Sequence, residues 1–195
     1  MNKAMIYRIV LVASLLLASI AAPAAEIQGV KFEDSIRLAD TRLELNGVGL
    51  RGVVFIKGYV AGLYVPQKTA DAEALIQQKG PKRMLLHMLR RAEAHDFIDA
   101  FDHGLRKNLK EDQLLFMAPR MEQLSRTMTE VGTVNKGDVV ALDLGAGGST
   151  RIAINGAVRG SAIFGPDFYS AILRIFIGER PVDQGLKKGL LGPSA

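Results

Sequence analysis

The side chains best placed to do chemistry lie in residues 46–65, NGVGLRGVVFIKGYVAGLYV, where Arg51 enters the longest β-branched and aromatic run beyond the first 24 residues. A guanidinium stays ionised and carries five donors in a rigid fork, so apolar surroundings oblige it to find an anion or several acceptors. That partner is either an internal Asp or Glu or the carboxylate of a ligand. Lys57 and the Tyr59 hydroxyl supply further polar handles. If the run from Arg51 is one continuous strand, a period of two puts Arg51, Val53, Phe55, Lys57, Tyr59, Ala61 and Leu63 on one face. Gly52, Val54, Ile56, Gly58, Val60, Gly62 and Tyr64 then fall on the other, small at Gly58 and Gly62, where another group can approach the backbone. A bulge at any of these glycines exchanges the faces downstream.

Other polar groups carry weaker signals. In residues 92–109 the residues Ala94, Phe97, Ile98, Phe101, Leu105 and Leu109 recur at helical spacing. His95, Asp99 and His103 share the opposite face; they have metal-ligand chemistry in principle, but they read as a solvated face. Asn108 sits near the apolar stripe, where a polar side chain needs a partner. It either satisfies the helix end or faces a ligand cavity shared with the sheet. His87 reads as a packed or edge histidine. The run Gly145-Ala146-Gly147-Gly148 is followed by β-type residues, so it reads as a hairpin turn and not as a phosphate cradle. There is no serine elbow, HExxH, dinucleotide fingerprint or P-loop. No metal or cofactor is expected.

The elements that must hold these residues follow from pattern. Residues 46–65 read as one strand or a tight strand pair at the centre of a sheet, covered on both faces. Residues 26–37 read as an opening strand and 43–48 as a short alternating piece. Pro66 ends the central run, and a short helix follows with Thr69 as N-cap, Leu75 and Ile76 inward and Gly80 as its stop. Residues 82–90 read as a strand. A helix over 114–129 carries Pro119 and a polar face of Arg120, Glu122, Gln123 and Arg126. Residues 139–144, with Asp143 facing out, and 150–154 are strands, and Asn155-Gly156 is a tight turn. A helix over 167–177 is apolar nearly all round and stops at Gly178; Asp183 caps a last helix ending near Leu191. Helices on both sides of a run of strands predict an α+β fold, with helices layered on a mostly antiparallel sheet.

The N-terminus predicts export. Lys3 and Arg8 precede an apolar run over 9–22, and Ala22-Pro23-Ala24 places small residues where a signal peptidase reads. Residues 1–24 are therefore expected to be a cleaved signal peptide and 25–195 one periplasmic domain. Cleavage lowers the net charge from +5 to +3, which with export argues against nucleic acid as a partner. With no cysteine there is neither a disulfide nor a lipoprotein anchor. No second long apolar run follows, so the mature chain is not expected to insert in a membrane.

The central stretch resembles the chalcone isomerase-like family, whose members show a G-x-G-x-R element followed by a strand ending in G-x-Y. Here these are Gly47, Gly49 and Arg51, then Gly62 and Tyr64. LRIFIGERPV and the following LKKGLLG resemble the exported bacterial branch of that family, and the resemblance covers residues 27–192. It implies an open-faced β-sandwich around a cleft, with Arg51 in the cleft. In the isomerases that arginine assists intramolecular ring closure of a chalcone; in fatty-acid-binding relatives it meets a carboxylate. The isomerases also use a strand threonine, a tyrosine and an asparagine on a helix, and a polar residue near the C-terminal helix. This chain has Tyr59 in the threonine's place, no tyrosine in 92–109, and Ile175 and Phe176 near the C-terminal position. The resemblance thus implies a non-catalytic binder of an amphipathic carboxylate such as a fatty acid, with Arg51, Tyr59, Asn108 and Phe176 as ligand residues. An intramolecular lyase, with Arg51 stabilising a phenolate or enolate, is the alternative. A domain acting through protein partners, with Arg51 in an internal ion pair, is the third.

Overall fold

A computed structural model describes residues 25–53 and 56–192. Seven strands form one antiparallel sheet, with strand order β11-β10-β9-β6-β5-β4-β3. The strands are β3 (Ser35–Leu38), β4 (Thr41–Val53), β5 (Ile56–Val65), β6 (Lys82–Met88), β9 (Val139–Leu144), β10 (Ser149–Ile154) and β11 (Ala157–Phe164). A small hairpin, β1 (Ala25–Ile27) with β2 (Val30–Phe32), and a short antiparallel pair, β7 (Ala92–Glu93) with β8 (Thr133–Val134), complete the strands. The helices are α1 (Ala72–Gln77), α2 (Ala94–Asn108), α3 (Glu111–Val131), α4 (Pro166–Ile177) and α5 (Gln184–Leu191). This is the expected α+β architecture. Residues 1–24, expected to be a signal peptide, lie outside the described residues, as do Val54 and Phe55. Among the described residues no helix is long and apolar enough to cross a membrane.

Residues 46–65 form the strand pair, not one strand: β4 and β5 pair antiparallel, with register shifts at Leu45/Gly47 and at Arg51/Gly52. On one face Ala61, Leu63, Met84, Leu86 and Leu142 meet the helices in the main core, which α4 fills with Phe168, Ile172 and Phe176. On the other face Phe32, Leu43, Leu45, Val60 and Tyr64 form a smaller core under the β1–β2 hairpin. Both faces of the central strands are therefore covered, as a run this apolar requires.

Several boundaries differ from the sequence reading. Residues 26–37 are not one strand. Gln28 and Gly29 take φ 57° and 76° and fold the chain back as a tight hairpin, a turn that tolerates positive φ at both central positions. α1 is capped by Asp71, whose carboxylate accepts from the Glu73 and Ala74 amides at 2.8 and 3.0 Å; Thr69 instead accepts from the Asp71 amide. α3 runs past both expected ends. Part of its polar face is docked: Arg120 donates to Asp167 at 2.7 Å and Gln123 reaches the Ala162 carbonyl at 3.2 Å. Asp143 does not face solvent; it accepts a two-pronged contact from Arg83 on β6, both at 2.6 Å. β11 was not expected at all. Its residues 157–161 are exposed and lack an alternating apolar pattern; it pairs with β10 as an edge strand and takes the Gln123 contact from α3.

Candidate functional site

Arg51 is held where two local features meet. Across the ladder its partner is Tyr59 on β5, and the register shifts immediately after this pair. Such a bulge re-aims side chains. It leaves Arg51 and Tyr59 on the helix-side face and turns Lys57 away. Lys57 therefore does not join the site, contrary to the continuous-strand reading; its ammonium donates to Gln28 in the β1–β2 turn at 2.6 Å.

The second feature is the reason for the G-x-G element. α5 lies directly against β4. A Cβ on Gly47 would stand 2.2 Å from the Gly189 carbonyl oxygen, and one on Gly49 2.5 Å from that of Leu186. From the other side, a Cβ on Gly189 would meet the Val48 carbonyl at 2.4 Å. Backbone-to-backbone contact of this kind admits only glycine. The buried Asn46 amide locks the contact by donating to the Leu190 carbonyl at 2.8 Å. The glycines of the motif thus dock the C-terminal helix and do not touch the cavity. The G-x-Y end is structural too: a Cβ on Gly62 would clash with the Phe32 ring, and Tyr64 donates to the Glu33 carbonyl at 2.9 Å.

Beside Arg51 lies a cavity of about 290 Å³, between β5 and β6 and the helices α2 and α4. Its apolar lining comes from Leu86, Met88, Phe97, Phe101, Ile175 and Phe176. Phe101 and Phe176 meet edge to face with centroids 6.5 Å apart. Gly104 lets α2 approach α4 closely; a Cβ there would lie 2.6 Å from Ile175. The Arg51 guanidinium sits 6.0 Å from the Tyr59 ring centroid. Arg51 Nε is buried and finds no acceptor among the described residues. The neighbouring carboxylates each accept from a backbone amide, Asp96 from that of Glu93 and Asp183 from that of Leu186, each at 2.8 Å. Burial pushes the Tyr59 hydroxyl well above its usual value, with Arg51 opposing and Asp183 adding to the shift. Tyr59 is therefore a donor throughout the neutral range. The arrangement offers an anion a guanidinium and a phenol at the end of an apolar chamber, a charge-assisted pairing.

Of the four expected ligand residues, Arg51, Tyr59 and Phe176 line this cavity. Asn108 does not. Its amide donates to the Gly104 and Arg180 carbonyls, both at 2.9 Å, and its oxygen accepts from the Arg180 amide at 3.1 Å. It ends α2 and pins the segment carrying Val182, which does line the cavity. Its role is to position that wall, because all its hydrogen-bonding capacity on this side is used by backbone. His95, Asp99 and His103 are exposed on α2, and His87 stacks edge-on against Phe32 at 4.9 Å. Sequence reading missed Leu86 and Met88 as cavity residues, and Arg90, Arg91 and Asp96 around them. The period-two spacing of Leu86 and Met88 in a recognised strand was the available signal.

No curated protein matches the sequence. Among solved structures, the crystal structure of a fatty-acid binding protein of Arabidopsis thaliana is similar with a TM-score of 0.68 and 17% identity. The match covers 87% of this chain and 96% of that one, and it supports a shared fold. The family profile described as chalcone isomerase-like matches residues 24–192. That span takes in the arginine, the glycines that dock α5 and both walls of the cavity, and the chain belongs to the chalcone isomerase-like family.

Proposed function

We propose that this protein is a periplasmic, non-catalytic binder of an amphipathic carboxylate such as a fatty acid, held by Arg51 and Tyr59 with its tail in the chamber. The observation that carries the reading is a buried guanidinium nitrogen without an acceptor, at the wall of an apolar cavity. Most buried polar groups are satisfied, so an unpartnered guanidinium nitrogen at the wall of a cavity supports a ligand acceptor there. The structurally similar Arabidopsis protein is a fatty-acid binding protein, which supports the same ligand class.

The cavity also bounds the ligand. A cavity of roughly 150 Å³ encloses benzene, with six heavy atoms. At that loading about 290 Å³ encloses on the order of twelve heavy atoms, the size of a ten-carbon acid. Native mass spectrometry of protein purified from the periplasm tests the reading. The expected result is a mature chain beginning near Ala25 that carries a co-purified monocarboxylate. A chain that retains Met1, or one that takes up no carboxylate even when supplied with it, would count against the proposal.

A further inference from the structure

A second pocket, about 490 Å³ in volume, lies at another end of the sheet. It is formed by the end of α1, the hairpin over residues 145–148 and the start of α4. Lys82 lines it and is only 1% exposed. Lysine is almost never fully buried unless paired. Here the ammonium has one acceptor, the Gln78 carbonyl, which leaves two of its three donors unused among the described residues. The one carboxylate in the lining, Asp167, is bonded by Arg120 at 2.7 Å. Lys79 adds a second cation to the rim.

The hairpin lines the same pocket. Gly145 N–H donates to the Ser149 carbonyl at 2.9 Å and Gly148 N–H to that of Gly145 at 3.0 Å, which fixes the loop. The Ala146 and Gly147 amides between them donate to nothing among the described residues. Gly148, at φ +74°, rests on Pro166 at the start of α4. Lys82 and Leu144 are directly paired across β6 and β9, so the amine rises beside the base of the hairpin. A buried ammonium with unused donors, beside the exposed amides of the hairpin and with the local carboxylate neutralised, suits an oxyanion.

We propose that Lys82 and the 145–148 hairpin form a second binding site, separate from Arg51, for a small oxyanion: a carboxylate or a phosphate group. Burial lowers the Lys82 amine to about 8, and a bound anion favours the charged form. The site therefore takes up a proton as it fills above that pH. Asp167, Lys79 and the paired Arg120 are the other charged groups near it, and none of these side-chain types ordinarily titrates between pH 7 and 9.

The test uses the full mature protein at constant ionic strength held with chloride. Sodium acetate and sodium phosphate are titrated separately while amide resonances are followed. Saturable shifts centred on Ala146 and Gly147 are expected. The acetate affinity should weaken about tenfold per pH unit above 8. Both effects should vanish in Lys82→Met and persist in Arg51→Met, so failure here is distinct from failure at the fatty-acid cavity. Tighter binding of phosphate would identify a phosphoryl ligand, tighter binding of acetate a carboxylate. Non-saturating shifts, a flat acetate profile between pH 7 and 9, or unchanged binding in Lys82→Met would overturn the proposal. If Lys82→Met does not fold, the wild-type pH profile decides alone.

Discussion

At the residue scale the unit that matters is a charge with nowhere internal to go. Arg51 and Lys82 are both half or wholly enclosed, and neither is matched to a carboxylate among the described residues. For Lys82 this has a consequence for stability. Its folded-state value, about 8, lies below the unfolded one of about 10.4. Below pH 8 the amine is charged in both states and the cost of burying it is fully present. As pH rises the folded state sheds its proton first, so stability should climb by about 2 kcal/mol between pH 8 and 10. Denaturant titrations at stepped pH should show this rise in wild type and its loss in Lys82→Met. Arg51 was legible in the sequence because an arginine in a β-branched run is conspicuous. Lys82 was not, because a lysine at the start of a strand is ordinary and only the third dimension places α1, α4 and a hairpin over it. Asn108 misled for a related reason: its position on the stripe was real, but sequence does not show the Arg180 backbone that meets it.

At the element scale, the strand pair and the C-terminal helix act as one piece. β4 carries Arg51, and α5 is seated on β4 through Gly47, Gly49 and Gly189. Gly189→Ala puts a methyl group against the Val48 carbonyl and should destabilise by about 1–3 kcal/mol, the usual cost of overpacking. Asn108→Ala removes three hydrogen bonds to backbone and should cost about 2–3 kcal/mol at ~1 kcal/mol each, while leaving the anion-binding groups in place. Thermal melts beside ligand titrations check both; a loss of affinity in Asn108→Ala without loss of stability would restore it to the ligand set. Helices α2, α4 and α5 were readable from apolar periodicity and caps. The β1–β2 hairpin and β11 were not. One rests on a non-glycine residue, Gln28, at positive φ, and the other is an exposed edge strand without alternation. The bulge beside Arg51 was foreseeable as a possibility, but which glycine would carry it was not.

At the scale of the whole molecule, an antiparallel sheet with helices on one face leaves a chamber where β5 and β6 meet α2 and α4. The α+β layering was legible because helix and strand periods differ. The chamber's size was not, since it depends on how closely α2 and α4 pack. That size predicts a chain-length limit. Each methylene buried contributes about 0.8 kcal/mol, so affinity for saturated acids should rise about fourfold per carbon and level off near ten carbons. A rise continuing unbroken to eighteen would show the chamber opening further. The claim beneath all of this is that Arg51 is an anion anchor and not half of an internal ion pair. Calorimetric titration of the delipidated protein with decanoate, in wild type and Arg51→Met, with melting curves of both, tests it most directly. Decanoate binding should weaken by about 1.5–3 kcal/mol in the variant, the range for a charged hydrogen bond, with melting temperature unchanged or higher. A drop in stability of about 3–5 kcal/mol, as for a broken buried ion pair, with decanoate affinity unchanged, would contradict it.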